Sequence, residues 1–391
     1  MRSAVVARGE VRLRDGLRTC LLVFVVVRIG LCVLSVLGIG LVPMPQGQPV
    51  GVPGWPAHPL VAGVQNLFTA TERQDALWFL RIATGGYADT DLSAALFPLY
   101  PAAVRLVALL PGVGALAAAL LVSNGAFLGS LVVMHGLTRL EFGDEANADR
   151  AVVYLALFPT AFFLMAPYSE SLFLLTVLLA FWGARRNRWG LTAMAGAGAG
   201  LTRAAGAILP LALLFEAIRP GWAAGAAKLP ARLAAAAAPA AGTALYFAGW
   251  WWRSGDFLAP AHAQAAWRPQ LTMPWIALAR GIDHAARFGS WWLVDAVFVV
   301  GALVVLVLGV RILRPSYLTY GFTSIALPLF AMFADRPFLS MPRFISVIFP
   351  IPWVLAHAVR RRRIPEALVM VPFAVGWGLL AIRFMNWQYI F

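Results

Sequence analysis

The sequence predicts an all-α polytopic membrane protein, a single bundle over residues 1–391 of about 9 to 12 transmembrane or re-entrant helices. Three observations carry this reading. Hydrophobic residues make up 61% of the chain and charged residues only 12%, with a mean hydropathy of +0.78. Apolar runs near the length of a bilayer crossing recur along the chain. The formal charge of +14 is carried mostly by arginines at the ends of those runs. That pattern marks topology, and with no basic stripe bearing interleaved aromatics it argues against a nucleic-acid partner.

The N-terminus, MRSAVVARGEVRLRDGLRT, carries five arginines before an apolar stretch from about Cys20 to Val42. No small-residue cleavage site stands at the usual distance, so this reads as a retained first helix with residues 1–18 in the cytoplasm. Cys20 and Cys32 lie about 18 Å apart along such a helix, which excludes a disulfide between them.

Residues 43–96 then leave the apolar regime, as a first extracytoplasmic loop. Phe97 to Leu110 is apolar but too short to cross, and reads as a re-entrant or interfacial piece. A full span follows from about Gly114 to Leu140. Two shorter runs, Ala151 to Met165 and Tyr168 to Ala184, are divided by APYSES and closed by ARRNR. Treating Phe97 to Leu110 as non-spanning puts that Arg-rich end in the cytoplasm, so length and charge agree.

The stretch GLTAMAGAGAGLTRAAGAILPLALLFEAIRP has an arginine at its midpoint, which suits two half-length helices with Arg203 near the tip. Spans near Leu229 to Trp252, Trp291 to Leu313, Tyr317 to Phe333, Phe344 to Val359 and Ala367 to Phe384 complete the chain. Residues 253–290 form a second large outer loop, and ADRPFLSMPR a short one. Arg360 to Arg363 anchor the cytoplasmic side, where anionic lipid would meet them. Gly196 and Gly200 form a small-xxx-small pair suited to helix contact in lipid. The GAGAG run lacks the spacing and βαβ context of a nucleotide loop.

The uncommon polar residues converge on the outer face. Asp75 is the leading candidate for a general base, in a loop where Trp78, Phe79 and Tyr87 build a semi-dry wall. A solvated loop acid or a helix cap is the competing account. Tyr100 belongs to FPLYP, which turns the chain back toward the bilayer. Tyr168 and Glu170 sit between two half-length helices, where an intramembrane acid reads as functional and capping explains it equally well. His262, Gln264 and Trp267 in HAQAAWRPQ are candidates for a sugar or acceptor pocket, against the plainer reading of His262 as a surface residue. The tryptophans at 250–252 and 291–292 read as an interfacial belt.

No metal motif stands out, because the five histidines are scattered with no pair at ligand spacing. Asp75 with Asp89 or Asp91 could hold a divalent cation through oxygen ligands, but the chemistry does not require one. Site metal is therefore read as none, and no cofactor is assigned.

The ordered blocks QDALWFLRIATGGY, ALFPLYPAAVRL, LFPTAFFLMAPYSESLFLL, AGLTRAAGAILPL and SMPRFISVIFP resemble the PIG-V-type mannosyltransferases and their bacterial relatives in the GT-C glycosyltransferase superfamily. The likeness extends from about Glu72 to at least Pro350. It implies a GT-C-like bundle that transfers mannose, or a related hexose, from a polyprenyl-phosphate donor to a lipid or glycan acceptor on the extracytoplasmic side, with inversion. The family's first-loop aspartate falls on Asp75. Gln74 stands where the family usually has tryptophan. With a phosphate as leaving group, the site needs a base and cations, and Arg203 and Arg343 are the candidates for the cations. Lys228 is the only lysine among 31 basic residues, which fits a high-GC bacterial source and a plasma-membrane location. A transporter or flippase of a lipid-linked sugar is the rival from another class, and a non-catalytic scaffold the third reading.

Overall fold

The computed structural model describes residues 2–43, 51–58, 63–219, 228–333 and 335–388, with side chains from residue 16 onward. Segments 44–50 and 59–62 of the first loop, residue 1 and the side chains of residues 2–15 in the expected cytoplasmic start lie outside the described part. Almost every element is helical, and the only strands among the described residues are two-residue pairs. Gly51–Val52 pairs antiparallel with Trp55–Pro56, and Gln270–Leu271 with Ala331–Met332. The expected all-α membrane bundle is borne out.

Among the described residues, four helices are long and apolar enough to cross a bilayer: Gly16–Leu37, Ala115–Phe142, Ser290–Arg311 and Ala367–Met385. Each coincides with an expected span. Between them, apart from the 26-residue helix Leu229–Ser254, the chain is broken into shorter pieces, for local reasons. Proline disfavours helical backbone in the residue before it. The helix Glu145–Ala156 accordingly stops just before Phe158 and Pro159, and the helix Glu170–Arg185 starts only after Pro167. The expected re-entrant piece is the nine-residue helix Leu99–Val107, opened by Pro98.

The tip at Arg203 is built by its neighbours. The helix Trp189–Thr202 ends where Arg203 adopts extended backbone, and the chain turns through Ala204–Ile208 into the helix Leu209–Ile218. A methyl group on Gly206 would overlap the Ala199 carbonyl, so this fold-back needs glycine. The same economy packs Trp189–Thr202 on the helix Leu229–Ser254. Added side-chain carbons at Gly196 and Gly200 would meet Pro239, and one at Gly242 would meet Ala197. Small residues let these backbones approach where lipid supplies no hydrophobic drive.

Residues 253–290 are more ordered than a loop. They contain the helices Ala259–Trp267 and Pro274–Phe288, each with proline in its first turn. The second buries only Ala277, Gly281 and Ala285, and the ring of Phe338 fills the space a Gly281 side chain would take. This contact braces residues 335–340, which lead to Arg343. Beneath lies an aromatic core in which Tyr317, Tyr320, Phe349 and Trp353 are almost fully buried.

Candidate active site

The four residues Glu72, Arg73, Gln74 and Asp75 separate by direction. Glu72 is fully buried; it accepts from Trp55 Nε1 at 2.8 Å and pairs with His58, tying down the small hairpin. Arg73, also buried, donates to the carbonyls of Met385, Thr69 and Glu72 at 2.8–3.0 Å and lies over the Trp387 ring. Gln74 has φ 52° and ψ −118°, backbone that non-glycine residues adopt only when their surroundings enforce it. The helix Asp75–Gly85 begins at the next residue, so Asp75 occupies the first turn, where the helix dipole favours a carboxylate.

Glu170 has the same setting on a second helix, as the first residue of Glu170–Arg185. Two arginines join these acids into one chain. Arg343 donates through Nη1 to Asp75 Oδ2 at 2.6 Å, and its Nε lies 3.2 Å from Glu170 Oε1. Arg203 Nη1 lies 2.5 Å from that same oxygen and donates to Ser169 Oγ at 3.2 Å. Burial alone would lower the pKa of Arg343, but the facing carboxylates of Asp75 and Glu170 raise it above the ordinary arginine value. It stays a cation.

A third guanidinium completes the group. Arg268 follows the helix Ala259–Trp267 and is 7% exposed. It donates to the carbonyls of Pro328, Ala331 and Leu339 at 3.0, 3.4 and 2.7 Å. Burial lowers its pKa to about 10, with the charge of Arg343 acting in the same direction; it remains protonated at neutral pH. Arg203, Arg268 and Arg343 stand 5.2, 5.3 and 5.1 Å from the centroid of the Phe344 ring.

These residues line a cavity of about 840 Å³. Its lining also includes Gln74, Trp78, Gln264 and Trp267, together with the apolar side chains of Phe173, Ala207, Phe247, Leu327, Pro328 and Phe330. The volume suits a ligand of drug size or larger. Asp75 Oδ2 is engaged by Arg343, while Oδ1 has no protein donor among the described residues. A carboxylate with one anchored oxygen and one free can take a proton from a hydroxyl held in the cavity.

Of the residues the sequence nominated, Asp75, Trp78, Glu170, Arg203, Gln264, Trp267 and Arg343 therefore meet at one cavity. Three nominations need correction. Tyr100 is fully buried, its hydroxyl shared with Ser123 Oγ at 2.8 Å and Ala119 O at 3.2 Å. Tyr168 is likewise buried and donates to Arg73 O at 2.8 Å, so it supports the backbone that leads to Asp75 from below. His262 is exposed and pairs with Asp256 at 2.9 Å, two residues and about half a helical turn from Gln264.

The oxygen-ligand pairing of Asp75 with Asp89 or Asp91 is corrected as well. Asp89 pairs with Arg253 and Asp91 with Arg81, each at 2.6 Å, and Asp91 caps the turn Leu92–Ala95. Among the described residues, one group has metal-ligand geometry, His135 with Glu145 and Asp149. It lies between the helices Ala115–Phe142 and Glu145–Ala156, outside the cavity lining. HAQAAWRPQ suggests a pocket through His262, Gln264 and Trp267 but gives no sign of Arg268, whose burial depends on carbonyls 60 to 71 residues further along the chain.

Residues 21–209 match the family described as Mannosyltransferase (PIG-V), which bears out the resemblance over just under half of the chain and supports a membrane glycosyltransferase. The last nominated block, SMPRFISVIFP, lies beyond the matched part. No curated protein matches the chain. Two solved structures of the Archaeoglobus fulgidus oligosaccharyltransferase are similar to it. One, tethered to an acceptor peptide containing the NVT sequon through a disulfide bond, is 13% identical over 94% of this chain and 55% of its own, with a TM-score of 0.42. The other, in complex with Zn and sulfate, is 12% identical over 93% of this chain and 53% of its own, with a TM-score of 0.37. The chain thus spans about half the length of these oligosaccharyltransferase chains.

Proposed function

Taking the match to the mannosyltransferase family as the premise, we propose that the chain is an inverting GT-C-type glycosyltransferase that transfers mannose, or a related hexose, from a polyprenyl-phosphate donor to a lipid or glycan acceptor. Asp75 is the general base. The observation that carries this reading is the convergence of Asp75, Glu170 and three arginines on one cavity whose remaining lining is largely apolar. Such a cavity has polar groups for a sugar and phosphate, and apolar side chains for a lipid chain.

The reaction follows from the roles. The acceptor hydroxyl gives its proton to Asp75 as its oxygen attacks the anomeric carbon on the face opposite the phosphate. The bond to the phosphate breaks, and negative charge grows on an oxygen facing the arginines. Fixed cations stabilise that charge more in the transition state than in the donor, which is the source of rate. Trp78 and Trp267 offer flat apolar faces for a sugar ring, and Gln264 an amide that can both donate to and accept from its hydroxyls.

The extracytoplasmic facing of the site rests on charge asymmetry. Helix Glu170–Arg185 carries Glu170 at the cavity and Arg185 at its other end, about 22 Å away. There Arg185 and Arg314 share Glu141, and Arg360 meets Asp144. The arginine-rich end would lie in the cytoplasm of a bacterial plasma membrane.

The test is transfer of radiolabelled mannose from polyprenyl-phosphate-mannose to a lipid extract of the source organism, by wild type and Asp75→Asn side by side. Transfer by wild type alone supports the proposal, and the labelled product identifies the acceptor. Equal turnover by both removes Asp75 from the base role. Failure of both, with no donor binding, directs attention to other sugar donors and then to transport.

A further inference from the structure

We propose that Arg268 is the residue that anchors the phosphate of a lipid-linked ligand in this cavity. The inference deepens the reading of the cavity as a transfer site, and rests on it only for what the phosphate is attached to.

The charge count comes first. Among the described residues lining the cavity, three arginines face two carboxylates. Arg203 and Arg343 are already committed, to Glu170 and to Asp75 with Glu170. Among the described residues, Arg268 meets three backbone carbonyls and the Phe344 ring, and forms no ion pair with a carboxylate. Carbonyl dipoles orient a guanidinium without neutralising it, so the cavity keeps one positive charge, on a largely buried side chain. An unpaired buried cation is costly, and an arriving anion removes that cost.

The other two arginines would have to loosen an existing ion pair to receive the same anion. Arg268 gives up nothing. A guanidinium fork matches phosphate oxygens in shape as well as charge. Its location favours a lipid-borne phosphate, because Pro328, whose carbonyl holds Nη1, lines the cavity together with its apolar neighbours Leu327 and Phe330. Head group and chain would therefore meet the protein at adjoining surfaces. Arg203 and Arg343 then act as positioning residues that hold the two acids.

The experiment measures binding of farnesyl phosphate, inorganic phosphate and farnesol to the full-length protein in nanodiscs. Replacing Arg268 by Gln removes the charge but also three carbonyl contacts. A second variant avoids that problem. Arg268 N–H donates to Gln264 O at 3.0 Å, so Gln264→Glu puts a carboxylate one helical turn away and neutralises Arg268 with its carbonyl bonds intact. We expect farnesyl phosphate to bind both variants at least about tenfold more weakly than wild type, with the thermal midpoint of Gln264→Glu unchanged and Arg268→Lys intermediate. Farnesol and inorganic phosphate should bind weakly to all forms. Binding of farnesyl phosphate by Gln264→Glu and a folded Arg268→Gln within about twofold of wild type would overturn the anchor. Inorganic phosphate bound as tightly as farnesyl phosphate would overturn its lipid assignment. Mannose transfer by wild type with no dependence of binding on Arg268 sinks the anchor and leaves the transferase. Arg268-dependent binding without transfer of any sugar keeps the anchor and sinks the transferase.

Discussion

Arg343 reaches across 268 residues of sequence to hold Asp75, its Nη1 2.6 Å from Oδ2, while its Nε faces Glu170. One side chain thus sets the distance between a residue of the first loop and one at a helix start in the middle of the chain. Lysine offers a single charged point and cannot bridge both acids. Arg343→Lys should therefore fold, with transfer reduced by about 10- to 100-fold, because one acid loses its partner. Arg343→Met leaves Asp75 without its ion-pair partner and Glu170 paired with Arg203 alone. Removing one partner of a buried ion pair costs about 3–5 kcal/mol, and the partial exposure of Asp75 puts this case at the low end. Thermal unfolding and initial rates on the same preparations separate the two effects; equal activity of Arg343→Lys and wild type would remove the bridge from the mechanism.

Tyr168 tests the support from below. Its buried hydroxyl donates to the carbonyl of Arg73, two residues before Asp75, and its ring packs on Phe163 and Phe384. Tyr168→Phe keeps the ring and deletes one hydrogen bond, for about 1 kcal/mol of stability, more if the carbonyl finds no other donor. Freed of that bond, the Gln74 backbone should relax from its unusual conformation and misplace Asp75. The expected result is a lower turnover number with nearly unchanged KM, since no substrate contact is lost. A raised KM with normal turnover would instead put Tyr168 in contact with substrate.

His262 should be dispensable. Its ring is solvent-exposed and pairs only with the exposed Asp256, whose carboxyl it holds below the ordinary aspartate range through that hydrogen bond. His262→Ala is expected to transfer at within about twofold of the wild-type rate, as for surface changes away from a site. A large loss would mean that the helix Ala259–Trp267 turns this face toward substrate during the reaction.

The contrast between His262 and Arg268 shows what could be read from the sequence. Both belong to one short stretch, and local pattern gave no reason to prefer the arginine. What distinguishes them is contact with residues 328–339, visible only once two distant segments are folded together. Asp75, Glu170, Arg203 and Arg343 were legible because charged residues at the ends or breaks of apolar runs are expensive and few. The long spans were legible from hydropathy alone, and the breaks from proline and arginine within apolar runs. Tyr100 and Tyr168 were misread because a tyrosine beside a polar motif looks the same whether its hydroxyl meets a ligand or a carbonyl. The helix Pro274–Phe288 was missed as an element, since its buried face is only Ala277, Gly281 and Ala285.

The small-xxx-small pair gives the last test. Gly200 lies one turn before Arg203, and a methyl group there would overlap the carbonyl of Pro239 in the helix Leu229–Ser254. Backbone cannot yield as a flexible side chain can, so Gly200→Ala must push the two helices apart. Overpacking of this kind costs about 1–3 kcal/mol. The displacement should also reach the site, because Arg203 closes this helix and holds Glu170. By contrast, a methyl group at Gly190, at the far end of that helix, would meet nothing within 4 Å among the described residues. Gly190→Ala should thus gain slightly from helix propensity. The expected outcome is a lowered thermal midpoint and reduced transfer for Gly200→Ala, with neither change for Gly190→Ala. Equal behaviour of the two variants would mean that the helices do not pack through Gly200, and that Arg203 is held at the cavity by something other than this contact.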